Sequence, residues 1–542
     1  MINITRSEWW FVGKVGLAVA ILAFAPIIAG ALMTPKASVF TGQQFANYTD
    51  TMVYYSNIEQ VKAGHFLFKN LFSGEQPSHR FIFDPFWLGV GLLAKVFSLS
   101  AFFAYHLSRF LLFPFLLIAL YLFTALFFDE AAKRKICFVF LVFASGVGAL
   151  AVGAGLSRLD IDNMPLDLVT PETFTFFSIY NSPHFIASLT LLALIFIFSI
   201  LAFERYKFIY SLGAGLSALF LFQFHPYHVP TVFGVLGVFI LINFIRRREI
   251  NFDYLKHYFV LIIFSLPPIF YHFWTVKNIW IRQQHLLQNF GPMPESFSIF
   301  LFSFGFLAPL ALIGVFLILI AKPPGSEKNV FLVVWAVTQG LLIYSPFLSF
   351  RRRLIEGLSI AVIILAVRGL FYLKEKFGLR MPMFKSYFIK NAILTVLFVF
   401  LFFLSSLAVI LTDINTYLKK DPALYIKKSR YEAMRWLRSN TPDDSVVVSL
   451  PDTGNMIPAI SLRQVYWGHD HQTAMSAKKK KELKTFFMAS DNEARRRFLK
   501  ENGIDYFFFG AEEGAISSFN PEESAYLQKV FDKGGVSIYR IL

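Results

Sequence analysis

Along most of the chain the hydrophobic positions do not alternate with polar ones. They run together for roughly 18 or more residues and are then cut by short charged loops. About eleven runs reach membrane-crossing length, at 11–33, 101–128, 136–155, 183–203, 208–224, 229–245, 257–275, 297–320, 329–347, 354–372 and 390–411. Helices of this length satisfy their own backbone groups in lipid, so the pattern predicts an all-α polytopic membrane protein. A transmembrane barrel would instead show short strands of alternating polarity. With Arg6 and Lys14 placed inside, the alternation puts the basic loops at 129–135, 204–207, 246–250, 322–328 and 374–385 on the cytoplasmic side. Only Arg351, Arg352 and Arg353 fall outside against that bias. The apolar stretch 85–97 is too short to span and reads as a juxtamembrane or half-inserted helix.

Two stretches break the apolar pattern. Residues 47–64, NYTDTMVYYSNIEQVKAG, are amphipathic: Val53, Ile58 and Val61, with Tyr54, recur at helical spacing, which suits a helix on a membrane surface. Asp50 stands near its start, where a carboxylate caps a helix. From about residue 413 the chain turns charged. It offers a helix at RYEAMRWLRSN, a strand at SVVVSL, two basic amphipathic helices across 477–502, and short strands at IDYFFFG and VSIYRI. The expected organisation is therefore a transmembrane domain over 1–412, with its first external loop at 34–100, and a small extracytoplasmic α/β domain over 413–542.

Composition adds limits to this picture. Hydrophobic residues are 56% and charged residues 16% of 542, with 67 Phe, far more apolar surface than a soluble domain needs. The net charge of +16 is what membrane topology signals produce, so a nucleic-acid partner is not implied. Cys137 is the single cysteine, which excludes an intramolecular disulfide. The N-terminus lacks a small-residue cleavage site after its apolar run and reads as a retained first span in a cytoplasmic membrane, its end inside.

The polar motifs concentrate at one end of the spans. His184 in SPHF, and His225 and His228 in HPYH, are suited to phosphate contact, proton transfer or metal binding, or to plain structural roles at an interface. The spacing of His225 and His228 names no third ligand, so a divalent metal is left open and no cofactor is certain. Glu75, Asp84, Asp167 and Glu172 are candidate second acids or simply solvated loop charges. In the last 130 or so residues, DTGN (452–455) follows a strand without the spacing of a phosphate-binding fingerprint. His469-Asp470-His471 reads as a polar turn before it reads as a metal site.

The Asp50 helix, followed by the aromatic-proline run FDPFWLG, resembles the first external loop of the GT-C glycosyltransferases, membrane enzymes that take sugars from polyprenyl-phosphate carriers. The segment SPFLSFRRRLIEGL is similar to one in bacterial members of that superfamily, the protein mannosyltransferase and aminoarabinose transferase-like group. The likeness covers nearly the whole chain. It implies a GT-C-like core and transfer of a sugar from a polyprenyl-phosphate donor to a glycan, lipid or protein acceptor at the outer face. Asp50 would be the catalytic base; Thr51 stands where many relatives carry a second acid, which puts a metal built on adjacent acids in doubt. Arg351, Arg352 and Arg353 would hold the carrier phosphate in their guanidinium forks, or else snorkel to membrane lipid headgroups. Tyr54, His184, His225 and His228 would line the cleft. The rival from another class is a transporter or flippase of a lipid-linked or anionic substrate, against which stands the scarcity of ionisable residues deep in the spans.

Overall fold

The computed structural model describes residues 4–44, 48–75, 79–156, 164–288, 297–320, 326–377, 392–489, 491–517 and 519–542. Among these, seven helices are long and apolar enough to cross a membrane. They are Arg6–Leu32, Ala101–Phe127, Pro183–Arg205, His228–Arg247, Phe252–Asn278, Arg351–Phe377 and Leu401–Leu418. Phe297–Phe304 and Leu307–Ile320, bent by 86° at their junction, make an eighth if counted as one span. The molecule is an integral membrane protein. Full-length spans are fewer than the apolar runs because some runs are broken. The run at 136–155 becomes two helices, Ala131–Phe143 and Gly148–Gly153. The backbone groups freed at that break are taken up by neighbours, Ser145 N by Phe402 O at 2.7 Å and Val147 N by Phe302 O at 3.0 Å. The run at 208–224 gives a single helix, Phe208–Phe224, too short to span comfortably.

The chain divides into two compact units. The first comprises Met1–Pro26, Leu107–Phe273 and Phe290–Asp413. A close helix crossing joins Leu307–Ile320 to Leu358–Phe377 through two glycines. A Cβ on Gly314 would run into the Leu365 carbonyl oxygen, and one on Gly369 into that of Leu310. Small residues let helix backbones approach where no hydrophobic effect drives association. Gly314→Ala is expected to cost about 1–3 kcal/mol through overpacking. It should lower the melting temperature of the detergent-solubilised protein, while Gly13→Ala, which meets nothing within 4 Å, leaves it unchanged. At the start of the first helix Glu8 is fully buried, accepting from Arg134 Nε at 2.7 Å and the Tyr121 hydroxyl at 2.6 Å.

The second unit comprises Ile27–His106, Trp274–Asn289 and Ile414–Leu542. It holds the seven strands found among the described residues: β1 Ser38–Phe40, β2 Tyr425–Lys427, β3 Val446–Val448, β4 Gln464–Val465, β5 Tyr506–Phe509, β6 Leu527–Lys533 and β7 Val536–Ile541. β1 and β2 pair antiparallel, Val39 opposite Ile426. The other five form one sheet in the order β4-β3-β5-β7-β6, parallel from β4 to β5 and antiparallel beyond. Gly534 and Gly535, both at positive φ, supply the tight turn of the β6–β7 hairpin. The strands expected at SVVVSL, IDYFFFG and VSIYRI are β3, β5 and β7; the helices expected around them are Lys428–Asn440, Ser476–Met488 and Asn492–Glu501. DTGN, read as a loop, lies in the opening turns of a helix, Pro451–Ser461, because Pro451 sits ready at the first helical position.

The amphipathic stretch is the helix Tyr48–Lys62; Asn47 lies outside the described residues. Its apolar side faces protein, not lipid. Met52, Ile58 and Val61 pack in one core with Val447, Ile457, Val465 and Ile538. Gly91 of the helix Pro85–Val96 lies so close to Val61 that a Cβ would collide.

Candidate functional site

Each unit carries a concentration of the candidate polar side chains. In the second unit it centres on Asp50, the third residue of its helix and so in the first turn rather than at the cap. The positive end of a helix dipole favours an anion in the first turn. The Asp50 side chain is 27% exposed, and His469 Nε2, itself buried, lies 2.9 Å from its Oδ1. His469 Nδ1 accepts the backbone N–H of His471 at 3.0 Å. The ring proton therefore belongs on Nε2, the atom that faces Asp50. The loop is fixed by Thr473, whose hydroxyl accepts from the N–H groups of Gly468 and His469, both at 3.1 Å, and donates to Phe72 O at 2.6 Å. Asn455 Nδ2 donates to both Thr49 O and Gly468 O, tying the Asp50 turn to the His469 loop. The polar turn at 469–471 is thus present, and it also delivers a histidine to Asp50.

The remaining candidates in this unit have specific partners. Tyr54 stacks on Trp87 at 4.6 Å and 12°, in line with Tyr105. Glu75 pairs with Lys479 and accepts from Ser73. Asp84 caps the helix Pro85–Val96, accepting from Phe86 N at 3.0 Å and Trp87 N at 3.1 Å. Loss of solvent pushes its carboxyl up to about 7, against the pull of those two bonds.

In the first unit the expected histidines come together. The rings of His184 and His225 are 5.2 Å apart, and those of His225 and His228 5.8 Å. All three are buried. Between them and the arginines stands Glu356, which sequence reasoning passed over inside RRRLIEGL. It is fully buried, with Oε2 2.9 Å from His228 Nε2 and 3.2 Å from His225 Nδ1. Ser188 donates to its other oxygen. A lone acid opening an apolar span was the available signal, since an intramembrane carboxylate is expensive unless partnered.

Arg351, Arg352 and Arg353 form a 3₁₀ turn, Arg351–Ile355, entered through Phe350 at φ 55. Arg353 Nη1 is 3.0 Å from Glu172 Oε1, and its guanidinium lies 5.5 Å over the Tyr227 ring. Arg351 and Arg352 stand half-buried beside it. Asp167 accepts from Gly148 N at 3.1 Å, and burial pushes its carboxyl up to about 7. The structure thus joins Glu172 to Arg353, and leaves Asp167 in a separate turn of the same unit. A further buried acid unmarked by the sequence, Asp413, accepts from the Tyr180 hydroxyl at 2.7 Å.

His225, His228 and Glu356 each offer one ligand atom, and these atoms all lie within 4.8 Å of one another. Two imidazoles and a carboxylate are a donor set for zinc and its neighbours. Among the described residues no second group of this kind occurs.

These observations describe an integral-membrane protein whose fold is similar to that of two solved proteins. The oligosaccharyltransferase of Archaeoglobus fulgidus, solved with a tethered acceptor peptide, superposes with a TM-score of 0.55 at 12% identity, over 93% of this chain and 70% of that one. ArnT of Cupriavidus metallidurans, solved with undecaprenyl phosphate, superposes with a TM-score of 0.53 at 10% identity, over 97% of this chain and 98% of that one. No protein-family model matches the sequence, and no curated protein does. At these identities the likeness lies in the fold.

Proposed function

We propose that the protein is a glycosyltransferase that moves a sugar from a polyprenyl-phosphate carrier to a glycan, lipid or protein acceptor at the outer face of the cytoplasmic membrane. The observation that carries this reading is the end-to-end correspondence with ArnT, a structure holding undecaprenyl phosphate, over almost the full length of both chains. Asp50 is the base that takes the acceptor's proton as the sugar leaves its phosphate. A carboxylate near a helix N-terminus, partly exposed and 2.9 Å from His469 Nε2, has the reach for that role. Arg352 and Arg353, with Arg351, hold the carrier phosphate, since guanidinium groups match phosphate oxygens two at a time. The N-terminus is cytoplasmic and the segment after residue 413 is external, where it contributes to acceptor recognition.

The test is mass spectrometry of lipids that co-purify with the wild type and with Arg352→Ala/Arg353→Ala. Polyprenyl phosphate or its sugar conjugate is expected with the first and not with the second. Bulk phospholipid alone in both samples would remove the donor from the proposal.

A further inference from the structure

We infer that His225, His228 and Glu356 form a binding site for a divalent transition metal of the zinc class. The inference stands on the geometry of these three side chains and holds whether or not the chain transfers a sugar.

Glu356 is fully buried, and among the described residues its oxygens meet two imidazoles and the Ser188 hydroxyl but no lysine or arginine. A buried carboxylate without a cation is costly. Each imidazole facing it offers at most one ring proton. His225 Nδ1, the atom 3.2 Å from Glu356 Oε2, has no aligned hydrogen bond, although the residue is only 3% exposed. It is a buried lone pair or proton directed at a carboxylate that His228 already occupies at 2.9 Å. One dication would neutralise the carboxylate and take up a lone pair on each ring.

The spacing fits. Metal–ligand bonds of about 2.0–2.2 Å place neighbouring tetrahedral ligand atoms roughly 3.3 Å apart. The carboxylate–imidazole separations are 2.9 and 3.2 Å, and all three atoms fall within 4.8 Å. The donors are nitrogen and oxygen of borderline hardness, suited to zinc, cobalt or nickel; magnesium and calcium favour oxygen alone. Three protein ligands leave a fourth position open. The rings are held by short chain segments. His225 and His228 flank Pro226 and Tyr227 in one turn, and Gln339 Nε2 donates to the carbonyl oxygens of Leu354 and Glu356. Tyr227, between the two histidines, also lies under the Arg353 guanidinium, so the ion would steady the arginine turn from both sides.

The experiment uses the full chain in detergent, stripped with a chelator and titrated with Zn²⁺ while metal content and melting temperature are followed. Stoichiometric zinc is expected, with a rise in melting temperature that Mg²⁺ does not reproduce. X-ray absorption of the zinc-loaded wild type should count two imidazoles. His228→Ala and Glu356→Gln should lose the stoichiometric ion, whereas His257→Ala, a buried histidine bonded to Ser199 and Ser211, keeps it. If the variants fail to fold, the wild-type absorption decides, because two imidazoles with oxygen support the site and any other shell overturns it. No zinc uptake by the wild type, or full retention by both folded variants, also overturns it.

Discussion

On the proposed reading, Asp50→Asn is expected to abolish sugar transfer and leave the protein folded. A positioned general base is worth about 10²–10⁴ in rate, so turnover should fall by at least about 100-fold. The substitution is close to isosteric. Asn keeps an oxygen toward His469 Nε2, which lies 2.9 Å from the Asp50 carboxylate, and keeps the polar group in the first helical turn. It removes only the capacity to accept and hold a proton. The check is transfer of labelled sugar from the donor that the co-purified lipid identifies, run beside a melting curve of the same preparation. Full activity in Asp50→Asn removes the base assignment, while a lost fold would show the residue to be structural.

The largest effect on stability is expected at the opposite kind of carboxylate. Arg134→Met strips Glu8 of its cation while the acid stays fully buried, held only by Tyr121 and by the N–H and hydroxyl of Thr5. Removing one partner of a buried pair costs about 3–5 kcal/mol, mostly the penalty of the stranded charge. Melting of the solubilised protein should shift down strongly. The double variant Glu8→Gln/Arg134→Met should recover most of the loss, because it removes the charge along with its partner. An unchanged melt in the single variant would show that the pair contributes nothing.

Much of the fold was written in the apolar runs. Their length gave a polytopic helical protein, whereas the second unit draws Ile27–His106 and Trp274–Asn289 together with Ile414–Leu542, a grouping no local pattern shows. The helix at 48–62 was legible from its period, but its environment was not. Met52, Ile58 and Val61 serve protein packing as well as they would serve lipid, and periodicity does not name the partner. β1, β2 and β4 were not read from the sequence; pairing with other segments of the chain defines them. The candidate centres were half legible for the same reason. His184, His225 and His228 drew notice as types, whereas Glu356 and His469 acquire meaning only from what they touch. Arg353 was marked by its place against the charge bias, and the structure adds Glu172 beside it.

The small β1–β2 ribbon has a consequence for the order of events during synthesis. Thr41, just past β1, bonds through both its N–H and its hydroxyl to the carbonyl of Leu424, 383 residues later. The core that covers the Tyr48–Lys62 helix likewise draws Val447, Ile457 and Ile538 from the far end of the chain. At about 5–20 residues per second, ribosomes need tens of seconds to supply those partners. During that interval the early loop carries Asp50 with its apolar side uncovered, a nascent intermediate suited to chaperone capture and open to proteases.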